Sequence, residues 1–242
     1  YDLLVQAESG LASVTGLPAG PGRVGVSVCD IACGMAGNAA ILEALIERGR
    51  TGRGKGLKVS LFDGMADWMN VPLLCFEGTG IAPPRMGLAH PSICPYGAFA
   101  CADGALVLIS IQNEREWAVF CTHFLDEPDL PQRQGFDSNV NRCANRAHVD
   151  GHIAAAFGRH DRAEVTARLR AANTAYGFVN DVAALARHPA LRRITVTTPG
   201  GTASLAAPPV IASAAAPPLG PVPAIGAHTA AIRDEFWETA EQ

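Results

Sequence analysis

Asp30 is the residue whose position in this sequence best suits covalent chemistry. It follows the alternating apolar residues Val24, Val26 and Val28, which indicate a short strand or extended segment. Apolar and small residues then recur at helical spacing over 31–46. We therefore predict that Asp30 is the N-cap of a helix, where first-turn amides fix its carboxylate and favour its charged form. Such a carboxylate either only caps the helix or also reacts.

The turns that follow Asp30 carry almost no side-chain bulk. The small residues are Ala32, Cys33, Gly34, Ala36, Gly37, Ala39 and Ala40. Each glycine costs a helix roughly 1 kcal/mol relative to alanine. A cost of this kind indicates a close approach, either by another helix or by a ligand that lies along the helix and reaches the carboxylate.

A carboxylate in a dry, well-oriented site can attack an acyl group and form a mixed anhydride. Because an aspartate is normally ionised at neutral pH, it needs no base to activate it. This chemistry suits exchange between carboxylic acids and thioesters. No G-x-S-x-G motif is present, and the cysteines have no evident catalytic partner, so Asp30 is the remaining nucleophile candidate.

Two motifs resemble binding sites but fail on chemistry. Residues 49–56 fit G-x-x-x-x-G-K, yet Gly56 replaces the Ser or Thr that ligates magnesium, and the loop is predicted to lead into a strand. His148 and His152 are four residues apart, but Val149 stands where the zincin motif requires Glu. We predict neither a P-loop nor a metal site.

Composition narrows the class of protein and its partners. The chain has 242 residues, is 48% hydrophobic and has a formal net charge of −4, which together predict a globular protein that does not bind nucleic acid. We expect no membrane partner, because no apolar run approaches the roughly 18 to 20 residues that span a bilayer. An odd number of cysteines, 7, without a C-x-x-C pair predicts reduced thiols and a cytoplasmic protein.

The elements predicted around Asp30 divide the chain into four parts. Residues 1–77 are predicted to form part of a large α/β domain around Asp30, with a helix over 1–10, the Asp30 helix to about Arg48, a strand over 58–61 and a further helix to about Phe76. Residues 78–95 are rich in Gly and Pro and are predicted to be a linker or active-site loop. Because the chain begins with Tyr1, we interpret it as a possible fragment.

Residues 96–190 are predicted to form a smaller α+β domain. A hairpin is expected over 96–101 and 106–111, a helix over 113–125, two helices within 139–170 and a short one over 182–186. Residues 191–242 are predicted to be a C-terminal arm with a strand over 194–197, an extended Ala/Pro tract over 206–223 and a last helix over 228–239 that returns to the large domain.

The sequence also offers candidate substrate contacts in the Pro/Gly-rich loop. His90, Arg85 and Tyr96 could hold the second carboxylate of a dicarboxylic acid there, although ordinary polar residues of a surface loop would look the same.

Short motifs, in the same order over nearly the whole chain, make this sequence resemble the class III CoA-transferases. That family includes formyl-CoA transferase, carnitine CoA-transferase and α-methylacyl-CoA racemase. The matching pieces are Tyr1-Asp2 with Gln6 and Ser9-Gly10, Thr15-Gly16, the Asp30 segment, Ala44-Leu45, Arg48-x-x-Thr51-Gly52-x-Gly54, Val59-Ser60-Leu61-x-Asp63, Pro95-Tyr96-Gly97, Asp103-Gly104, Asn113-Glu114-x-x-Trp117, Arg142-x-x-Asn145, His188-Pro189 and Pro223-x-Ile225-Gly226-x-His228-Thr229.

The resemblance implies a large domain with a Rossmann-like core, a smaller α+β domain and an interlocked homodimer. It implies that Asp30 carries first the acyl group and then CoA, that Tyr1 and Asp2 lie near it, and that acyl-CoA and a small carboxylic acid are substrates with no permanently bound cofactor. The chain lacks the family's N-terminal portion, and Ser92 to Gly97 replace the glycine-rich loop of the oxalate-handling branch.

Three functions stay open at this point. The first is a CoA-transferase that acts through Asp30. The second is a racemase or epimerase of 2-methylacyl-CoA, which in the family uses a His immediately before the Asp that matches Asp2, where this chain has Tyr1. The third is a non-catalytic fragment or subunit of a two-chain assembly.

Overall fold

A computed structural model describes residues 1–211, 213 and 220–237 of the chain, which is a mixed α/β protein as predicted. It contains two compact units, Tyr1–Val179 and Asn180–Gln242. The helices are α1 (Asp2–Glu8), α2 (Leu11–Val14), α3 (Val28–Thr51), α4 (Leu61–Trp68), α5 (Asn70–Thr79), α6 (Glu114–His123), α7 (Asn139–Ala144), α8 (Arg146–Phe157), α9 (Arg162–Ala171), α10 (Val182–Ala186) and α11 (Thr229–Trp237). The strands are β1 (Gly16–Leu17), β2 (Gly20–Pro21), β3 (Tyr96–Ala100), β4 (Leu106–Ser110), β5 (Ala175–Phe178), β6 (Arg193–Thr198) and β7 (Gly201–Ala206).

All sheets of the described ranges are small and antiparallel. The Rossmann-like core and the domain boundaries after residues 77, 95 and 190 stay predictions.

The first unit begins with helices that pack around a small apolar cluster. In it α1 contacts α3 and α4, and the buried side chains are Cys29, Ala32 and Met65. Partly buried apolar residues surround them, namely Val5, Leu11, Val28 and Leu61. This cluster fixes the first turns of α3.

The rest of α3 is exposed although it is apolar. By length and composition α3 is the one helix of the described residues that could cross a membrane, with mean hydropathy 1.4 over an 18-residue window that is 11% buried. This differs from the expectation that no apolar run approaches such a length. Both criteria are also met by helices packed inside larger soluble proteins. The exposed apolar side chains of α3 are Ile31, Met35, Ile41, Leu42, Leu45 and Ile46.

The strand predicted over 58–61 is wrong. Residues 53–60 form no regular element, and α4 begins at Leu61. Ser60 is the N-cap of α4, where its hydroxyl accepts a hydrogen bond of 3.2 Å from the Asp63 amide. A Ser three residues before an acidic residue is a helix-start signal, and it outweighs the apolar alternation that favoured a strand.

The predicted hairpin is confirmed, and it has a third strand. In β3–β4 Tyr96 pairs with Ser110 and Ala100 with Leu106, and β5 pairs with the other edge of β4. The turn between β3 and β4 places Gly104 at φ 79°, which favours glycine. The other predicted elements of residues 113–186 are confirmed, except that the first predicted helix of 139–170 is divided at Asn145.

Helices α6 to α9 bury one face of this sheet in the main core. Its largest fully buried side chains are Trp117, Phe120, Phe124, Phe157, Ile109, Ile111, Leu130, Ile153 and Leu169. The Asn113 side chain caps α6 by accepting a hydrogen bond of 3.0 Å from the Glu116 amide. Side-chain caps of this kind explain why α6, α7 and α9 begin where they do.

Arg142 is a cation inside this core, 1% exposed. Its guanidinium donates to both Glu114 carboxylate oxygens, at 2.7 and 3.0 Å, and to the carbonyls of Cys94 at 2.7 Å and Phe136 at 3.1 Å. It also lies 5.0 Å from the Trp117 ring centroid. The hydrogen bonds from Arg142 hold the pKa of the Glu114 carboxyl below its usual range.

The second unit contains α10, the β6–β7 hairpin and α11. In the hairpin Arg193 pairs with Ala206 and Thr198 with Gly201. The strand predicted over 194–197 is therefore confirmed, and β7 was not predicted. Parts of the predicted Ala/Pro tract (212 and 214–219) and the end of the predicted last helix (238–239) lie outside the described residues.

We predict that Arg142→Ala lowers the free energy of unfolding by on the order of 3 kcal/mol, because the Cys94 carbonyl loses its donor and a buried cavity is left. The Phe136 carbonyl keeps a hydrogen bond of 2.9 Å from the Trp117 indole N–H. Denaturant unfolding followed by tryptophan fluorescence measures the change. Arg133→Ala is the control, because Arg133 forms an exposed pair with Glu127 at 3.3 Å and its loss should cost less than about 1 kcal/mol. Equal effects of the two substitutions would contradict the role assigned to Arg142.

Candidate active site

Asp30 lies in the first turn of α3, three residues after the N-cap, Ser27. The prediction that Asp30 itself is the N-cap is therefore wrong, and Ser27 makes no side-chain cap either. The cap comes from α1, where Oδ1 of Asp2 accepts hydrogen bonds from the amides of Cys29 at 2.8 Å and Asp30 at 3.4 Å. The helix start is thus stabilised by a carboxylate 28 residues away from Asp30 in sequence.

Asp2 is held in turn by a buried glutamine. Gln6, which is fully buried, donates from Nε2 to Oδ2 of Asp2 at 2.7 Å. Its Oε1 accepts a hydrogen bond of 2.9 Å from the Val24 amide. The side chains of Asp2 and Gln6 therefore tie the segment 24–30 to α1.

This network stabilises the carboxylate form of Asp2 and destabilises the thiolate form of Cys29. Desolvation alone would raise the pKa of Asp2, but hydrogen bonds from Gln6 and from the Cys29 and Asp30 amides outweigh it and lower that pKa. Burial raises the pKa of the Cys29 thiol, and the nearby carboxylate of Asp2 raises it further. Cys29 is therefore a protonated packing residue, and it does not compete with Asp30 as a nucleophile.

The Asp30 side chain is exposed, and its carboxylate accepts no hydrogen bond from the described part of the chain. Its backbone is fixed while its oxygens stay free to contact a substrate. Tyr1, which was predicted to lie near the site, precedes Asp2 at the start of α1 and is 95% exposed. Asp2 therefore lies against the N-terminal end of α3 that carries Asp30, and Tyr1 is its neighbour in sequence.

The small residues after Asp30 leave open space on α3. A methyl group added to Gly34 would meet nothing within 4 Å, and at Gly37 it would meet only the Val59 side chain, at 4.0 Å. Packing among the described residues thus does not account for these glycines. The two explanations drawn from the sequence, a ligand or another helix against this face, both stay open.

His90 and Tyr96 form a second candidate cluster. Their rings stack with centroids 5.3 Å apart, and the His90 amide donates to the Tyr96 carbonyl at 3.0 Å. Arg146 fixes the loop between them by donating to the carbonyls of His90 at 2.8 Å and Ile93 at 2.9 Å. No hydrogen bond or ring contact joins this cluster to Asp30 within the residues that the structure describes.

Arg85 is bonded to the backbone of the first unit. Its three guanidinium nitrogens donate to the carbonyls of Leu17 at 3.0 Å, Ser13 at 3.2 Å and Pro18 at 3.4 Å. Arg85 therefore ties the Pro/Gly-rich loop to α2 and to the β1–β2 turn, and its contact with a substrate carboxylate stays a prediction.

The paired histidines are explained by packing. Nε2 of His152 lies 2.7 Å from a Glu127 carboxylate oxygen, and the rings of His148 and His152 both meet the Phe136 ring edge-on. Over the described ranges, no three His, Cys, Asp or Glu side chains are grouped so that they could hold a metal ion.

The network of Asp2 and Gln6 was missed by sequence reasoning. The two residues are four apart, which places them on one face of α1. A glutamine at this spacing from an acidic residue in the first turn is the signal that the sequence contained. Their partners, the amides of Val24, Cys29 and Asp30, become apparent only in the fold.

Comparison with known proteins gives consistent matches. The chain is 32% identical to an acetyl-CoA:oxalate CoA-transferase of Acetobacter aceti over 98% of its length and 61% of that protein. It is 27% identical to a succinate–glutarate CoA-transferase of Agrobacterium fabrum over its whole length and 62% of that protein. The chain thus spans about three fifths of these relatives.

Solved structures agree in fold. A CAIB/BAIF family protein from Brucella suis superposes with a TM-score of 0.77 at 30% identity, over 97% of this chain and 62% of that one. Rv3272 from Mycobacterium tuberculosis gives a TM-score of 0.79 at 24% identity, over 95% of this chain and 62% of that one, which supports the fold alone. Residues 1–229 match the family model described as CoA-transferase family III, and the chain belongs to that family.

Proposed function

We propose that this protein moves CoA between carboxylic acids through a covalent intermediate on Asp30. The observation that carries the proposal is an exposed carboxylate that accepts no hydrogen bond from the described residues, and whose backbone is held at a helix N-terminus by Asp2. A capping carboxylate would accept amide hydrogen bonds, and here Asp2 accepts them instead. The Asp30 carboxylate is therefore available to react with a ligand.

The first half of the reaction forms two successive intermediates. An Asp30 oxygen attacks the thioester carbonyl of the donor acyl-CoA, the C–S bond breaks, and CoA leaves as a thiolate. The product is a mixed anhydride between the donor acyl group and Asp30. The thiolate then attacks Cγ of Asp30, which releases the donor acid as a carboxylate and leaves CoA as a thioester on the aspartate.

The second half reverses these steps with the acceptor acid. Its carboxylate attacks Cγ of the aspartyl thioester, and the CoA thiolate leaves as a new anhydride forms. The thiolate then attacks the acceptor acyl carbonyl, which yields the new acyl-CoA and free Asp30. No oxidant, reductant or permanently bound cofactor takes part, and the two substrates are an acyl-CoA and a carboxylic acid.

The racemase alternative receives less support. It needs Asp2, or a residue beside it, to exchange a proton at carbon. Both Asp2 oxygens already accept hydrogen bonds from the Gln6 side chain and from the amides of Cys29 and Asp30, and Tyr1 offers no imidazole. Asp2 is thus a positioning residue for Asp30.

An interlocked homodimer and a completed Rossmann-like large domain are part of the same proposal. The exposed apolar side chains of α3 support it, because apolar surface of this extent is normally covered by another polypeptide segment.

For Asp30 itself, we expect Asp30→Asn to abolish CoA exchange while the free energy of unfolding changes by less than about 0.5 kcal/mol, since the exposed carboxylate makes no hydrogen bond to the described part of the chain that asparagine would lose. Wild-type protein treated with acyl-CoA and then hydroxylamine should carry a hydroxamate at Asp30, as measured by peptide mass spectrometry.

Asp63→Asn is the matched control, because Asp63 occupies the equivalent first turn of α4. It should keep exchange. A folded Asp30→Asn protein that still transfers CoA, without deamidation back to Asp, would contradict the covalent mechanism on Asp30. Wild-type protein without exchange would instead indicate a non-catalytic subunit.

For the positioning role, Asp2→Ala is expected to lower kcat/KM by roughly ten- to hundredfold, because misplacement of a nucleophile by about 1 Å has effects of that size. Asp2→Asn should restore part of the rate, since its amide oxygen can still accept from the Cys29 amide. Glu8→Ala on the same helix is the control and should leave the rate unchanged. Wild-type rates in Asp2→Ala would contradict the positioning role.

A further inference from the structure

A cleft of about 610 Å³ lies beside α5 and the Pro/Gly-rich loop that follows it. This α5 cleft is lined mainly by apolar side chains, among them Val71, Pro72, Cys75, Ile81 and Met86, and His90 also lines it. Its size falls in the range of small-molecule sites. Among the described residues that line it there is neither lysine nor arginine.

The neighbouring Arg85 does not supply the missing cation. It stands in sequence between two lining residues, Pro84 and Met86, but its guanidinium is committed to the carbonyls of Ser13, Leu17 and Pro18. A carboxylate held among the apolar side chains, away from any donor, would therefore lose water without gaining an ion pair or a hydrogen bond.

His90 provides one oriented donor at the cleft. The Ser92 amide donates to Nδ1 of His90 at 3.2 Å, so Nδ1 is an acceptor and the ring hydrogen lies on Nε2. Nε2 has no partner among the described residues. Stacking on Tyr96 and the Arg146 hydrogen bond to the His90 carbonyl hold the ring in place.

We propose that the α5 cleft binds the hydrocarbon chain of a monocarboxylic acid, with an oxygen of its carboxyl group accepting a hydrogen bond from Nε2–H of His90. The inference adds a ligand site to the proposed function and does not depend on the reaction at Asp30. One hydrogen-bond donor matches one polar end, and the apolar lining matches an uncharged chain. A dicarboxylic acid such as glutarate would place its second charge among apolar side chains.

Cys75 allows occupancy to be measured without activity. It is an exposed cysteine that lines the cleft, and four of the others, Cys29, Cys94, Cys101 and Cys121, are buried. The full chain is treated with iodoacetamide in the presence of increasing octanoate or glutarate, and alkylation of Cys75 is followed by peptide mass spectrometry. We expect octanoate to protect Cys75 at a concentration at least tenfold lower than glutarate.

Variants on one helix test where the ligand lies. Val71 and Leu74 are both exposed residues of α5, but only Val71 lines the cleft. Val71→Arg should weaken protection by octanoate at least fivefold and strengthen protection by glutarate, whereas Leu74→Arg should change neither. His90→Phe keeps an aromatic ring against Tyr96 and should weaken protection by octanoate more than protection by 1-octanol, because a carboxylate accepts a stronger hydrogen bond than a hydroxyl does.

Equal or better protection by glutarate in the wild-type protein would overturn the inference, and so would the absence of protection by both acids. These results do not depend on Asp30. CoA exchange by a protein whose Cys75 neither acid protects would refute this inference and leave the proposed function standing, whereas protection by octanoate without exchange of any acid would refute the proposed function alone.

Discussion

The carboxylate of Asp2 at the N-terminus of α3 is the contact on which the candidate site depends. It accepts hydrogen bonds from the amides of Cys29 and Asp30, and the side chain of buried Gln6 orients it. Since Asp2 caps α3 from the neighbouring helix α1, the carboxylate of Asp30 accepts no hydrogen bond from the described residues. A helix N-terminus favours anions, so the same geometry that fixes the backbone of Asp30 also tolerates its negative charge without neutralising it. Asp2 therefore stabilises the start of the helix, and Asp30 carries the proposed reactivity.

Several residues that carry the family resemblance are explained by the scaffold and not by chemistry. Trp117 and Arg142, both buried, meet the exposed Glu114 in one network that joins α6, α7 and the segment before β3. Burying an arginine is costly unless its nitrogens find acceptors, and here both carboxylate oxygens and two carbonyls accept hydrogen bonds from all three guanidinium nitrogens. Such a network fixes one arrangement of the core.

Sequence reasoning predicted the local features and missed the long-range ones. The β3–β4 hairpin followed from the Asp103-Gly104 turn, and the helix predicted over 113–125 begins within one residue of α6, which Asn113 caps. The N-cap at Asp30 and the strand over 58–61 were wrong because apolar alternation before a helix does not distinguish a strand from an extended segment. The role of Asp2 in capping α3 could not be predicted, because its partners lie 27 and 28 residues away.

The most direct measurement of the central claim follows oxygen atoms. In the proposed mechanism the acceptor carboxylate gives one of its oxygens to Asp30 when CoA thiolate cleaves the second anhydride. We predict that single-turnover exchange with an ¹⁸O-labelled carboxylic acid leaves one ¹⁸O atom in the Asp30 carboxylate, detected by mass spectrometry of its peptide. Exchange that proceeds with Asp30 unlabelled, or with the label on Asp2 or Asp63, would contradict the account.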